Sequence, residues 1–294
     1  MITLFAMPKA FRGHINIIQR NAIQSWTRLP IKAEIFLLGN DEGTAEAARE
    51  FGARHIPDVA RNDQGTPLVS DLFAKAQLHA ANKILSYVNA DIILLGDFAA
   101  AVETIARCRD TFLMVGQRTD LDITAPVDFT DPAWATPLAA QASSSGILRP
   151  PTFIDYFVFT KGLYTDLLPL ALGRGGWDNW LIWRAHSKKS SVIDATAVVR
   201  AIHQNHDYSH HPEGAKGVWN GAEALRNREL IGLWYHKLTT ADASYRLTPP
   251  GLKRSYRHNW LVAKRAWSHP RGVVQLAYEI LSRSFRHTPG SPST

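Results

Sequence analysis

The chain holds 294 residues, 45% hydrophobic and 20% charged, which is material for one large α/β domain or two small ones and excludes a disordered chain. One cysteine, Cys108, excludes a disulfide framework, a cysteine zinc site and an iron–sulfur cluster, and fits a reducing compartment. The net charge of +7 is uneven: residues 245–294 carry nine Lys or Arg against one acid, while residues 1–244 sum to −1. No apolar run approaches the roughly 18 residues of a membrane span. The opening MITLFAMPK has neither the basic leader nor the apolar stretch of a signal peptide.

In chain order, ITLFA reads as a buried strand, and Ile15, Ile18, Ala22, Ile23 and Trp26 recur at helical spacing after it. EIFLLG is a second strand. TAEAAREFG is a helix with Thr44 as N-cap and Gly52 as its stop, and ARHIP is a third strand. Leu68 to Ala81 is helical. ILSYV and IILL flank Asn89-Ala90-Asp91, and FLMVG follows another helix. Apolar runs separated by amphipathic helices predict an α/β fold with a mostly parallel sheet flanked by helices. Residues 126–152, rich in Pro and Ser, read as a long loop of the kind that often forms a lid. FIDYFVF returns to strand, GRGGWDNW is a Gly-rich turn into a helix, SVIDA is a strand and HQNHDYSHH a polar loop. Leu252, Tyr256, Trp260, Ala263 and Trp267 recur every three or four residues, so the basic tail reads as amphipathic helix, with a second segment after Pro270. The division is 1–244 (halves 1–125 and 126–244) and a tail, 245–294.

Three clusters could carry chemistry. Asn89 and Asp91, two apart at a strand end, place oxygen ligands on one side of an extended chain, which suits Mg or Mn; a solvent-facing turn is the plainer alternative. Asp178, after Gly175-Gly176, has the position of a helix cap. His203, His206, His210 and His211 with Asp207 could ligate a metal or simply form a solvated loop. Asp155 lies in an apolar strand and needs a partner or a purpose. No G-x-G-x-x-G follows the first strand, and neither G-x-x-x-x-G-K-[ST] nor G-x-S-x-G occurs. Dinucleotide oxidoreductases, P-loop phosphotransferases and serine hydrolases of those classes are poor fits.

With these residues in view, positions 1–220 resemble the nucleotide-sugar glycosyltransferases of the GT-A fold: three strand–helix units, then a strand ending in a D-x-D-type motif, here YVNADIILL. The resemblance implies a Rossmann-like GT-A sheet and a divalent cation, Mn or Mg, bridging the donor diphosphate. Asp91 would be its principal ligand, Asn89 a weaker one that departs from the motif's strongest form, and His203 and His206 further ligands. It implies that Asp178 acts as general base of an inverting transfer; with retention, Asp178 would only position. The donor would be held by Ala6, Pro8 and Lys9 after the first strand, Asn40 and Asp41 after the second, Asp71, Lys75 and Ala90. His211, Gly214, Lys216 and Trp219 resemble the H-x-x-G-x-x-K-P-W motif of retaining members, with Lys216 toward the diphosphate. Asp155, Tyr156, Trp177 and Trp180 would face a glycan or lipid-linked acceptor.

The tail reads either as a peripheral membrane contact through 251–287 at the inner face of a membrane or as a helix packed on the catalytic domain of a cytoplasmic enzyme. Nucleic acid ranks below both, because the rest of the chain is slightly acidic and carries no nucleic-acid motif. Two rivals stand beside a glycosyltransferase: a nucleotidyl- or phospho-transferase on a related sheet, and a non-catalytic nucleotide- or membrane-binding module.

Overall fold

The computed structural model describes residues 1–207, 214–232 and 236–255. The amino-terminal half runs β1 (Ile2–Ala6), α1 (Gly13–Thr27), β2 (Ala33–Leu38), α2 (Thr44–Glu50), β3 (Arg54–Ile56), α3 (Val69–His79), β4 (Ile84–Val88), β5 (Ile92–Ile93) and α4 (Gly96–Ala106). It continues through β6 (Phe112–Leu121), α5 (Ala135–Ser144), β7 (Ile147–Leu148), β8 (Ile154–Thr160), α6 (Trp177–Ser187), β9 (Ser191–Asp194) and β10 (Ala201–Gln204). Helices α7 (Gly214–Asn220) and α8 (Ala222–Ile231) and strands β11 (Tyr245–Thr248) and β12 (Gly251–Arg254) follow.

Among the described residues nine strands form the main sheet in the order β12-β11-β9-β6-β8-β4-β1-β2-β3. All neighbours in it are parallel except β8, antiparallel to β4 and β6, and β12, antiparallel to β11. This is the mostly parallel α/β sheet that the alternating periodicities predict. Two-residue alternation sends side chains to opposite faces. Ile2, Leu4 and Ala6 pack with Trp26, Ala47 and Phe98 from α1, α2 and α4. Phe5, Phe36 and Phe157 pack with Phe73 of α3 and Leu181 of α6. Phe5 meets Phe73 edge-on, ring centroids 5.1 Å apart.

Strand β6 belongs to two layers. Its first half lies between β8 and β9, and its second half pairs with β10 and β7. The register breaks between Val115 and Gln117, so the bulge centres on Gly116. A Cβ at Gly116 would stand 2.2 Å from the Tyr156 hydroxyl, which is why the bend uses glycine. The bend brings β10 between β6 and β5, with His203 in register with Asp120 on one side and Ile92 on the other.

Four expectations are corrected. The loop at 126–152 contains α5 and β7: Pro137 sits in the first helical turn, where an amide hydrogen would have no intrahelical acceptor, and Ser143 donates back to the Ala139 carbonyl at 2.8 Å. The polar HQNH stretch begins as the fully buried strand β10, because His203 and Gln204 find polar partners inside. Gly43, at φ +83°, caps α2, and Thr44 is its first helical residue. The first ten residues of the basic tail are a hairpin: β11 joins β9 and turns through Pro249-Pro250 into β12, so Leu252 lies in a strand. The rest of the tail, 256–294, and His210 and His211 lie outside the described residues.

Gly116→Ala should cost about 1–3 kcal/mol, as overpacking in a filled core does, read as a lowered urea midpoint with unchanged slope.

Candidate active site

The chain winds from β1 to β2 and β3 on one side and returns to β4 on the other, so the loops after β1 and β4 part at their carboxyl ends. Such a reversal opens a crevice where ligands of α/β sheets bind. Here it is a cavity of about 730 Å³. Pro8 and Lys9 enter it from β1, Asp41 from β2, Asn89, Ala90 and Asp91 from β4, Asp155 from β8, and Trp177 and Asp178 from α6. Buried Gln19 holds the Lys9 backbone at both ends, accepting from its N–H at 2.7 Å and donating to its carbonyl at 2.8 Å.

Asp91, His203 and His206 offer one ligand atom each, all within 4.8 Å of one another. His206 Nε2 lies 3.1 Å and His203 Nε2 3.7 Å from Asp91 Oδ2. Among the described residues Asp91 Oδ1 is buried without a hydrogen-bond partner, as fits a ligand oxygen for a cation. On its far side His203 Nδ1 faces Asp120 Oδ1 at 3.3 Å, which favours a proton on Nδ1 and leaves Nε2 to ligate. Asp120 is itself held by Arg118 Nε at 2.8 Å. Gln204 donates to the Asp91 carbonyl at 3.0 Å and to the Ile18 carbonyl at 2.7 Å, which ties the Asp91 backbone to α1. Burial opposes ionisation of Asp91, but the two imidazoles and Lys9 outweigh it and hold the carboxyl below its ordinary range. Burial likewise disfavours charge on His203, and Asp91, then Asp120, turn its pKa upward. The residues present therefore fit a divalent cation. Two nitrogens and one carboxylate make the set softer than the all-oxygen set read from Asn89 and Asp91.

Asn89 is engaged elsewhere. Its Oδ1 accepts from the Tyr87 hydroxyl at 2.8 Å, and its amide donates to Asp155 Oδ1 at 2.7 Å. Arg118 Nη1 donates to the other Asp155 oxygen at 2.9 Å. The buried acid of β8 thus has the partners its burial demands.

Asp178 lies in the first turn of α6, after Gly176 at φ +98°. Its carboxylate accepts from the Asn179 backbone N–H at 2.9 Å. Burial, with the nearby Asp155 charge, pushes its pKa up to about 7 against the pull of that N–H and of Lys237. A carboxyl titrating there is suited to exchange protons with a substrate hydroxyl.

Several other expected residues lie outside the cavity. Ala6 faces the core of the α1 side, since it alternates with Phe5. Asn40 is exposed in the turn after β2, and only its neighbour Asp41 lines the cavity, paired with Arg61 at 3.0 Å. Asp71 and Lys75 pair with each other at 2.9 Å, one turn apart on α3. Lys216 is exposed on α7, while Val218 and Trp219 of that helix reach the cavity. Tyr156 points to the opposite sheet face from Asp155 and packs on Phe98, as strand alternation requires. Trp180 is core, and Trp177 packs on Tyr87 with one edge in the cavity.

Sequence reading missed Arg118, Asp120, Arg149 and Gln204. Arg118 and Asp120 left a signal, two charged residues two apart directly after an apolar strand. Gln204 left none.

No family model and no curated protein sequence matches the chain. Among solved structures it is similar to glucosyl-3-phosphoglycerate synthase from Mycobacterium tuberculosis, at 14% identity over 79% of each chain and a TM-score of 0.46. A structure of that synthase with Mg²⁺ and UDP gives 14% identity over 70% of this chain and 72% of the other, TM-score 0.41. S. aureus TarS gives 8% identity over 69% of this chain and 36% of that one, TM-score 0.47.

Mn²⁺ should bind the protein alone and bind at least tenfold more weakly to Asp91→Ala, by titration calorimetry. Asp120→Asn should weaken it about 10- to 100-fold through the orientation of His203.

Proposed function

We propose that the chain is a GT-A glycosyltransferase that moves a sugar from a nucleotide-diphosphate donor to a hydroxyl of a glycan or lipid-linked acceptor, with inversion. The observation that carries this reading is one cavity holding a carboxylate–imidazole cluster and, apart from it, a carboxyl that titrates near neutrality.

The donor occupies the β1–β2 end of the crevice, against Pro8, Lys9 and Asp41, with Lys9 countering diphosphate charge. Burial lowers the Lys9 pKa and Asp91 opposes that. Asp91, His203 and His206 would hold the divalent ion, and two imidazoles move the preference from Mg²⁺ toward Mn²⁺ and other transition metals. When bound, the ion supplies positive charge for the departing diphosphate. Asp178 takes the proton of the acceptor hydroxyl as its oxygen bonds to the anomeric carbon. The bond from that carbon to the diphosphate oxygen breaks, and its electron pair leaves with the nucleoside diphosphate. Trp177 offers an aromatic edge beside this step, and Asp155 keeps negative charge near Asp178, favouring proton uptake.

Turnover with a panel of nucleotide sugars should release nucleoside diphosphate; release of pyrophosphate from a nucleoside triphosphate instead would replace this reading with nucleotidyl transfer. Asp178→Asn should lower the rate about 10²- to 10⁴-fold, the range of a lost acid–base group. The base acts as carboxylate, so the wild-type rate should climb with pH to about 7 and level above it. The same raised pKa means the folded state holds this proton more tightly than the unfolded one, so this group's contribution to stability falls as pH rises from about 4 through 7. Asp178→Asn should therefore raise Tm more at pH 8 than at pH 5.

A further inference from the structure

Beside Asp155 the cavity wall carries Arg118, Phe153 and Arg149. The other cavity arginines are committed: Arg61 to Asp41 at 3.0 Å and to the Gly65 carbonyl at 2.8 Å, and Arg174 to Glu223 at 2.7 Å. Arg118 is committed to Asp155 and Asp120. Arg149 differs. Its ion pair is with Asp120, 3.4 Å from Nε, and among the described residues that buried Nε makes no hydrogen bond. Among the described residues nothing accepts from its terminal amino groups, and the side chain is 35% exposed.

The position of Arg149 is nonetheless built. Its backbone N–H donates to the Arg118 carbonyl at 3.0 Å, and its own carbonyl accepts from the Gln117 amide. Its guanidinium lies 4.5 Å from the Phe153 ring centroid, and that of Arg118 lies 5.1 Å from the same ring. A guanidinium held over an aromatic ring is restrained in advance, and its planar fork of donors is preorganised. Such a fork matches the oxygens of a carboxylate or phosphate, which it can take with two parallel hydrogen bonds.

We infer that Arg149, seated on Phe153 and backed by Arg118, is a subsite for a carboxylate or phosphate group on the acceptor. The inference deepens the glycosyltransferase reading and rests on it for the word acceptor. The subsite shares its wall with Asp155, two residues along the chain from Phe153, and the charge of Asp155 is felt by Asp178. The anion would anchor the acceptor while a hydroxyl of the same molecule reaches Asp178.

The test is calorimetric titration of inorganic phosphate into wild type, Arg149→Gln and Arg149→Lys, each alone and saturated with nucleoside diphosphate and Mn²⁺. Phosphate should bind Arg149→Gln about tenfold more weakly, as loss of a charged hydrogen-bonding partner implies. Arg149→Lys, which keeps charge without the fork, should fall between. Nucleoside diphosphate affinity should stay within about twofold. Equal phosphate affinity in wild type and Arg149→Gln would overturn the subsite. Parallel loss of nucleoside diphosphate affinity would overturn it too, assigning Arg149 to the donor. Failure of any nucleoside diphosphate to bind wild type, with the phosphate difference intact, would sink the donor reading and leave the anion subsite standing. Hexose phosphates and hexuronates, against phosphatidylcholine vesicles with and without phosphatidic acid, then separate a soluble anion from a lipid phosphate. Arg149-dependent binding in either arm supports the subsite and names the source. Arg149-independent binding in both overturns it.

Discussion

The site depends on the pairing of charges that could not be buried singly. Asp91, Asp120, Asp155, Arg118 and His203 lie at the floor of one cavity above an apolar sheet, where an isolated charge would be costly. Each is neutralised by the next: Asn89 and Arg118 take the two oxygens of Asp155, Arg118 also reaches Asp120, and Asp120 faces His203, which faces Asp91. Removing one member costs its neighbours part of the compensation that makes their burial tolerable.

Backbone topology makes that chain of contacts possible. The strand-order reversal at β1 and β4 opens the crevice, and the bulge at Gly116 turns the second half of β6 out of the main sheet to meet β10. Without the bend, Asp120 would continue along the main sheet rather than sit in register with His203. Asp91 is then fixed from behind by Gln204, which spans its carbonyl and α1. Ligand atoms come from residues more than a hundred positions apart because two short strand pairings, not a local motif, align them.

The two carboxyls of most chemical interest differ in environment rather than in type. Asp91 lies between two imidazoles and is kept ionised. Asp178 is buried near another acid and holds its proton to near neutrality. Separating the proton affinities of two like groups is how one pocket supports both an electrostatic role and a proton-transfer role. Arg149 adds a cation paired only through its Nε, to Asp120, on the wall it shares with Asp155.

The sequence by itself determined the alternation of strands and helices, the α/β class, and Asp91 and Asp178 as residues to watch, because hydrophobic period and glycine-rich turns are local signals. It also marked Asp155 as an acid needing a partner. It could not say that Asn89 binds Tyr87 and Asp155, since that depends on β4 and β8 lying side by side. Nor could it say that Tyr156 and Trp180 face the core, that HQNH begins as a buried strand, or that the tail opens as a hairpin, because polar composition and three-residue spacing lose to strand pairing once a sheet edge is available. The resemblance already named His203 and His206 beside Asp91, but tertiary structure alone decided how each cavity arginine is paired. Distance between residues far apart in the chain is set by packing and register, and neither is written in any local stretch of residues.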